Sequence, residues 1–539
     1  MISTDIAEGV FHLNRTRTFF YNAALLSVVS VLLRGAAVSF NAYVTGKIGA
    51  ESMGLFTLVM NVYGFAVTVA TSAVNLASVR LTAEKCALLE EMGASRADYR
   101  YAMNRVCRSV CLYSGLFGVL TGVVLFFSAD FIAEHFLGDM RTVLSLKVLA
   151  VSLPPISLSS AVSGYFTGTR KVYKNAVISV TEQGIKILVT TTALVLITPF
   201  RSVEYACLAV VGGSAVAEAW SFVMCLVFYL TDSKHPKGTR LAKKGSSVRL
   251  DTSFRDAANI SLPTAVGAYL RQGLTTAEHL AIPAGLKKMG ASSSSALASY
   301  GVLHGMAFPL IMFPYAVISS FTGLLIPEIT ECAATGNMGR VRHITHRVFD
   351  CTAVCSVCAA GLFVTFADGL GMAVYNNGEV GHFIKVMGLL VPFMYLDTAC
   401  DAILKGLGEQ VYIMKVNTVD AFASLILVVL LTPLMGIYGY VVTVWVCEIM
   451  NLTASIRRMV RIVGKKQGIL RYFLTPAAEC AVTVLLVNGL RYLLAIPDGA
   501  ALVVYLLCYS CMVFFRRKRN GEWRRKQKKE PLSCKTIPF

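Results

Sequence analysis

The feature that most constrains this chain is a succession of long apolar blocks. They lie near 22–45, 54–79, 106–128, 142–166, 175–198, 205–230, 258–282, 300–327, 348–367, 381–404, 412–432, 436–456, 473–494 and 499–515. A block of about 20 apolar residues crosses a bilayer, and only helices or closed barrels satisfy their own backbone groups in hydrocarbon. No ten-residue alternation of apolar and polar positions recurs, which argues against a barrel. Charged residues make up only 15% of the chain, against about a quarter in soluble domains. The sequence therefore predicts an all-α membrane protein with about 14 transmembrane helices.

Charge orients the spans. Lys and Arg gather on alternate loops: Arg15 and Arg17, the run from Arg80 to Arg108, Arg170 to Lys174, the stretch 232–257, Arg340 to Arg347, Lys405 and Lys415, Arg457 to Arg471, and the tail. The intervening loops hold few, and 368–380 holds none. The positive-inside rule then places both termini in the cytoplasm. The short last block must span as well, or the tail "RRKRNGEWRRKQKKEPLSCKTIPF" would lie outside. That tail supplies much of the net charge of +19. It reads as a juxtamembrane cluster on anionic lipid and not as a nucleic-acid site. The first twenty residues lack the short apolar core of a cleaved signal peptide. Most of the 15 cysteines sit inside apolar blocks, where cysteine packs as a small hydrophobe, so no disulfide framework is expected.

The two halves echo one another roughly 240 residues apart. Arg34 in the first span answers Arg271 in the seventh, "SVRLTAE" (78–84) answers "LIPEITE" (325–331), and "GYFTGTRKVY" (164–173) answers "ILKGLGEQVY" (403–412). Their shared order predicts two pseudo-symmetric six-helix lobes, 1–231 and 258–460. A basic cytoplasmic linker at 232–257 joins them, two further helices fill 461–516, and a basic tail follows at 517–539. Parallel repeats of this kind place a substrate cavity between the lobes.

Two segments carry a wider resemblance: "GKIGAESMGLFTL" (46–58) and "IPAGLKKMGASSSSALASYGVLHGMAFPLIMFP" (282–314). With them the chain resembles the stage V sporulation protein B type of polysaccharide transporter over about 22–460. That group lies in the multidrug/oligosaccharidyl-lipid/polysaccharide exporter superfamily, which includes the lipid II flippases. The resemblance implies movement of a lipid-linked glycan precursor across the membrane by alternating access.

Charged residues inside spans mark the candidate site. Arg34 lies about 17 Å from either end of its span, too deep to snorkel, and in lipid it would cost on the order of 3 kcal/mol. Arg271 sits at similar depth, so both should face protein or a wet cavity. Two guanidiniums on one cavity suit the diphosphate of a polyprenyl-diphosphate-sugar, and the superfamily's flippases are likewise thought to use cavity arginines. The simpler reading is an ion pair, with Glu278 two turns from Arg271. Glu182 and Lys186 read as a local i,i+4 pair, while Glu218, Glu448 and Glu479 show no partner in sequence. Asp397 and Asp401 share a face, with Asn417 and Asp420 at comparable depth in the next span. Such oxygen-rich groups suit a coupling Na⁺ or proton, although Asp401 also reads as an interfacial pair with Lys405.

No phosphate-binding loop, GxSxG or HExxH occurs, so an enzyme is not expected. Cys351, Cys355 and Cys358, downstream of His343 and His346, read as packing residues, and neither a metal nor a bound cofactor is expected. Two other functions fit the class. A multidrug antiporter would carry organic cations on the same scaffold. A membrane glycan polymerase or glycosyltransferase would need larger outward loops than these. A monomer is expected.

Overall fold

The computed structural model describes residues 2–91, 96–197, 203–233, 254–464, 469–494 and 496–529. Residues 234–253 of the linker at 232–257, and the tail beyond 529, lie outside the described residues. Among the described residues the elements are helices and no strand forms. By packing, the chain divides into two compact units, Met1–Phe321 with Val411–Cys447, and Thr322–Gln410 with Glu448–Phe539. This grouping is by contact and is separate from the internal repetition read from the sequence.

The first unit begins with α1, Ile2–Thr71, which carries the two earliest expected spans in one long helix. The break between them falls at Gly49, where φ is 78°. That left-handed value is open to glycine without strain. A second break at Ser72 and Ala73, with φ of 45° and 55°, separates α1 from α2 (Val74–Glu91). Next, α3 (Arg96–Phe131) runs into a π-helical turn, Ile132–Leu137. Asp139 then caps the short turn Met140–Thr142 by accepting from the Arg141 amide. The unit continues through α4 (Val143–Gly168), α5 (Val172–Ile197), α6 (Val203–Ser233) and α7 (Phe254–Lys288). Beyond α7, α8 (Ser293–Tyr300) passes through a second π-helical turn, Gly301–Ala307, into α9 (Phe308–Ile311).

Glycines bring α1 and α8 backbone to backbone. A Cβ at Gly54 would stand 2.0 Å from the Leu297 carbonyl oxygen, and one at Gly301 would stand 2.2 Å from that of Ala50. Close approach through small residues is how helices associate where lipid supplies no hydrophobic drive.

Four further helices complete the chain's middle: α10 (Tyr315–Ala334), α11 (Met338–Tyr375), α12 (Gly378–Gly388) and α13 (Val391–Gly406). They are followed by α14 (Gln410–Met435), α15 (Ile437–Val463), α16 (Ile469–Leu494) and α17 (Asp498–Lys529). In the second unit α17 hangs on α11. Tyr505 donates to the Cys358 carbonyl at 3.0 Å and Tyr509 to that of Val354 at 3.1 Å. Around them Phe366, Val487 and Val513 close a buried apolar cluster.

Nine helices among the described residues are long and apolar enough to cross a membrane, or ten if α12 and α13, bent by 53°, form one span. The chain is a multi-pass membrane protein; the expected count of about 14 is not reached by this measure. Part of the difference is that Val28–Leu89 registers once although it holds two expected spans. In addition α5, with Glu182, Gln183 and Lys186 at mid-length, is not among the nine. The polar residues that mark a functional face also lower the hydropathy that identifies a span.

Candidate functional site

Arg34 lines a cavity of about 370 Å³ in the first unit. The helical repeat of α1 brings Ala37, Val38, Asn41 and Val44 onto the same wall, and α5 contributes Gln183 and Lys186. Pro309 and Met312 close another side. The Arg34 guanidinium stands 5.7 Å from the Tyr315 ring centre, within reach of a cation–π contact. Two turns further, Asn41 donates to the Gly305 carbonyl at 2.7 Å, fixing α1 against the π-helical turn. Two cations and two side-chain amides thus face one space.

Behind Lys186 lies a polar cluster drawn from four helices. Tyr63 of α1 contacts Glu218 of α6 at 2.5 Å and Ser152 of α4 at 2.6 Å. Ser152 also lies 2.9 Å from the Leu149 carbonyl oxygen. Glu182 of α5 lies near Ser221 of α6. Lys186 feels the charges of both Glu218 and Glu182. The expected Glu182–Lys186 pair is therefore electrostatic and shared with Glu218. It does not close into a contact ion pair among the described residues.

Arg271, exposed on α7, does not line the Arg34 cavity. Its charge acts on Asp420 of α14, one of whose oxygens is buried without a hydrogen-bond partner among the described residues. Glu278, offered by the sequence as a partner for Arg271, instead accepts from Ser424 of α14 at 2.7 Å. Asn417 is half-buried on α14. Asp397 and Asp401 belong to the second unit: Asn451 donates to Asp397 at 3.2 Å, and Lys405 lies 3.7 Å from Asp401. The Asp401–Lys405 pair read from the sequence is present. Glu479 likewise finds a partner there, Arg516 at 3.3 Å.

Sequence reasoning missed a hydrogen-bonded chain on the α1–α7–α8 contact. Asn61 donates to Tyr300 at 3.0 Å, and Tyr300 reaches the His279 Nδ1 at 3.1 Å. Because the Tyr300 oxygen accepts from Asn61, its own hydrogen is available to His279. His304, in the π-helical turn, stacks 5.0 Å from Phe308 and lies 4.6 Å from the His279 ring. The "GVLHG" spacing of two glycines four apart was the visible signal for this close contact. Loops expected on the outer face are joined by Glu51. It meets Arg141 at 3.2 Å and accepts from Ser294 at 2.6 Å.

Comparison with known proteins agrees with this architecture. Residues 19–332 match the family described as polysaccharide biosynthesis protein. The chain is 24% identical over 427 residues to "Stage V sporulation protein B" of Bacillus subtilis (strain 168), covering 78% of this chain and 80% of that one. It is 20% identical over 391 residues to "Sporulation protein YkvU" of the same organism, with 72% and 83% covered. Among solved structures, lipid II flippase MurJ in an inward closed conformation matches with a TM-score of 0.66 at 13% identity, over 92% of this chain and 99% of that one. An inward-facing multidrug resistance MATE family transporter of the MOP superfamily matches with a TM-score of 0.60 at 10% identity, over 82% and 99%. At such identities the structures share the fold, while the family match covers more than half of the sequence. The chain belongs to the polysaccharide biosynthesis protein family.

Proposed function

We propose that this protein is a flippase, not an enzyme. It moves a polyprenyl-diphosphate-linked oligosaccharide or peptidoglycan precursor across the bacterial cytoplasmic membrane by alternating access, with both termini in the cytoplasm. The observation that carries the reading is the cavity wall on which Arg34 and Lys186 stand together. Guanidinium and ammonium groups hold phosphate oxygens through charge-assisted hydrogen bonds, each contributing about 1.5–3 kcal/mol. Arg271, which stands outside that cavity, is the second guanidinium proposed to engage the diphosphate. The family's description, polysaccharide biosynthesis protein, supports a glycan precursor as the cargo, and two relatives are named for sporulation.

The similarity to MATE transporters gives weight to the second reading, export of organic cations. The cavity's charge opposes it. A cationic ligand about 6 Å from each of two cations meets a repulsion on the order of 3 kcal/mol from each, at an effective dielectric near 20.

A coupling Na⁺ or proton is proposed at Asp420 with Asn417, and separately at Asp397 with Asp401. The buried, unpartnered oxygen of Asp420 supports the first placement. The basic tail engages anionic lipid.

The test is a binding panel by native mass spectrometry, followed by flipping in reconstituted vesicles. Polyprenyl-diphosphate-sugars should bind the wild type and bind weakly to Arg34→Gln. Selective retention of organic cations, indifferent to Arg34, would replace this reading with the antiporter.

A further inference from the structure

One polar side chain on the Arg34 cavity is held in a single orientation by its own chemistry. Asn41 of α1 donates from its amide nitrogen to the Gly305 carbonyl oxygen at 2.7 Å. A carbonyl oxygen can only accept, so the NH₂ end of the amide is the end turned toward Gly305. The Asn41 Oδ1, the other prong of the same planar group, has no hydrogen-bond partner among the described residues. The Gly305 oxygen is itself firmly placed. It belongs to the π-helical turn Gly301–Ala307, which packs so closely on α1 that a Cβ at Gly305 would stand 2.6 Å from the Met53 Cγ. Asn41 therefore brings to the cavity wall an acceptor of fixed position. Gln183 of α5 lines the same space, but no hydrogen bond among the described residues fixes which end of its amide is presented.

The spacing separates this acceptor from the cations. Arg34 and Asn41 are seven residues apart, which is about 10 Å along the axis of α1, and both line the cavity. Arg34 and Lys186 favour an anion, and the oxygens of an ionised phosphate are acceptors. Beside the Asn41 Oδ1 such an oxygen would set lone pair against lone pair. The group that satisfies Asn41 carries an O–H or N–H. The space suits a head group of this mixed kind: about 370 Å³ lies toward the lower end of small-molecule sites, roughly 300–1,000 Å³. In a polyprenyl-diphosphate-sugar the donor-bearing unit next to the diphosphate is the first sugar.

We infer that Asn41 determines specificity for the first sugar, its Oδ1 accepting a hydrogen bond from that sugar while Arg34 and Lys186 hold the diphosphate. The inference rests on the flippase reading and adds a requirement on the cargo. Charge alone leaves the site incomplete, because a lipid diphosphate without a sugar leaves the Asn41 oxygen unmatched. The sugar then lies on the Gly49 side of Arg34, the side toward which Asn41 follows it along α1.

The experiment is isothermal titration calorimetry of the full chain in nanodiscs of zwitterionic lipid. Two probes of equal charge are compared: polyprenyl-diphosphate-N-acetylglucosamine, and the methyl ester of the same polyprenyl diphosphate, which has no hydrogen to donate. The wild type should bind the sugar ester more tightly. Asn41→Ala should weaken the sugar ester by about 3- to 10-fold, the worth of one neutral hydrogen bond, and leave the methyl ester unchanged. If Asn41 only ties α1 to the π-helical turn, both esters weaken alike, and that result overturns the inference. A sugar ester whose affinity ignores Asn41→Ala overturns it too. A second arm keeps the wild-type chain and removes the donors of the sugar one at a time. Loss of one O–H or N–H should cost the same factor, and no loss at any position overturns the inference while the flippase reading stands. Failure of the wild type to bind either ester overturns the flippase reading and this inference together.

Discussion

Arg34 and Arg271 lie in stretches whose sequences echo one another, yet the surroundings of the two differ. Arg34 shares its cavity with a second cation, Lys186, and with the amides of Asn41 and Gln183. Arg271 acts on a carboxylate, Asp420, whose neighbours on α14 include Ser424, bound to Glu278. An arginine whose charge reaches an acid is partly compensated within the protein. An arginine beside a lysine is not, and an anion lowers the energy of that arrangement. The two guanidiniums thus stand in unlike surroundings, set by the helices packed against them.

The largest effect that would test this difference is removal of both cavity cations. Arg34→Gln with Lys186→Gln should weaken polyprenyl-diphosphate binding by about 100-fold or more, since two charge-assisted bonds of about 1.5–3 kcal/mol are lost. Arg271→Gln alone should do less in the same calorimetric titration. An equal loss from Arg271→Gln would erase the distinction.

A smaller effect addresses the frame that holds Tyr63 and Asn61 in place. Gly301→Ala should destabilise the protein by about 1–3 kcal/mol, because the added methyl meets the Ala50 carbonyl and overpacks a backbone contact. A lowered thermal unfolding midpoint in detergent would register it, and an unchanged midpoint would show that the two helices separate readily there.

Smaller again is the rescue expected at Arg271. If Asp420 balances it, Arg271→Gln with Asp420→Asn should be more stable than the sum of the single changes, by about 1 kcal/mol. Among the described residues Arg34 has no such acid on its cavity wall, so a parallel rescue there is not expected. A double-mutant cycle on thermal stability gives the answer for both.

The smallest effect lies outside the spans. Burial alone would raise the Asp139 carboxyl, but hydrogen bonds from Arg141 outweigh it and hold Asp139 below its ordinary value of 3.8. A lowered folded-state value means the stabilisation is complete above the unfolded value near 3.8 and is lost as pH falls through the folded one. Amide exchange across Gly138–Thr142 should therefore gain less protection from the fold at pH 3 than at pH 6, after correction for intrinsic rates. Asp139→Asn should remove that dependence.

Much of the frame was legible in the chain. Long apolar blocks demanded helices in lipid, and the break at Gly49 falls where two blocks part. Arg34 announced itself by depth. Legibility failed for Lys186, which reads as half of a local pair with Glu182 because only residues on one helix can be compared from spacing. Glu218 showed no partner for the same reason: Tyr63 lies 155 positions away. Glu278 was assigned to Arg271 by nearness along α7, whereas Ser424, 146 residues distant, holds it.

What the sequence determined by itself was the class of molecule, its family resemblance and the depth of its charges. The class and the depths follow from local quantities, namely the hydropathy of a run, the rise per residue and the cost of an ion in hydrocarbon, and the resemblance from the two segments 46–58 and 282–314. Tertiary structure alone decided which charges meet. That depends on how each helix is rotated about its axis and which neighbour it packs against. Contacts such as Gly54 on Leu297 set this rotation, and they act between segments that the linear order keeps far apart.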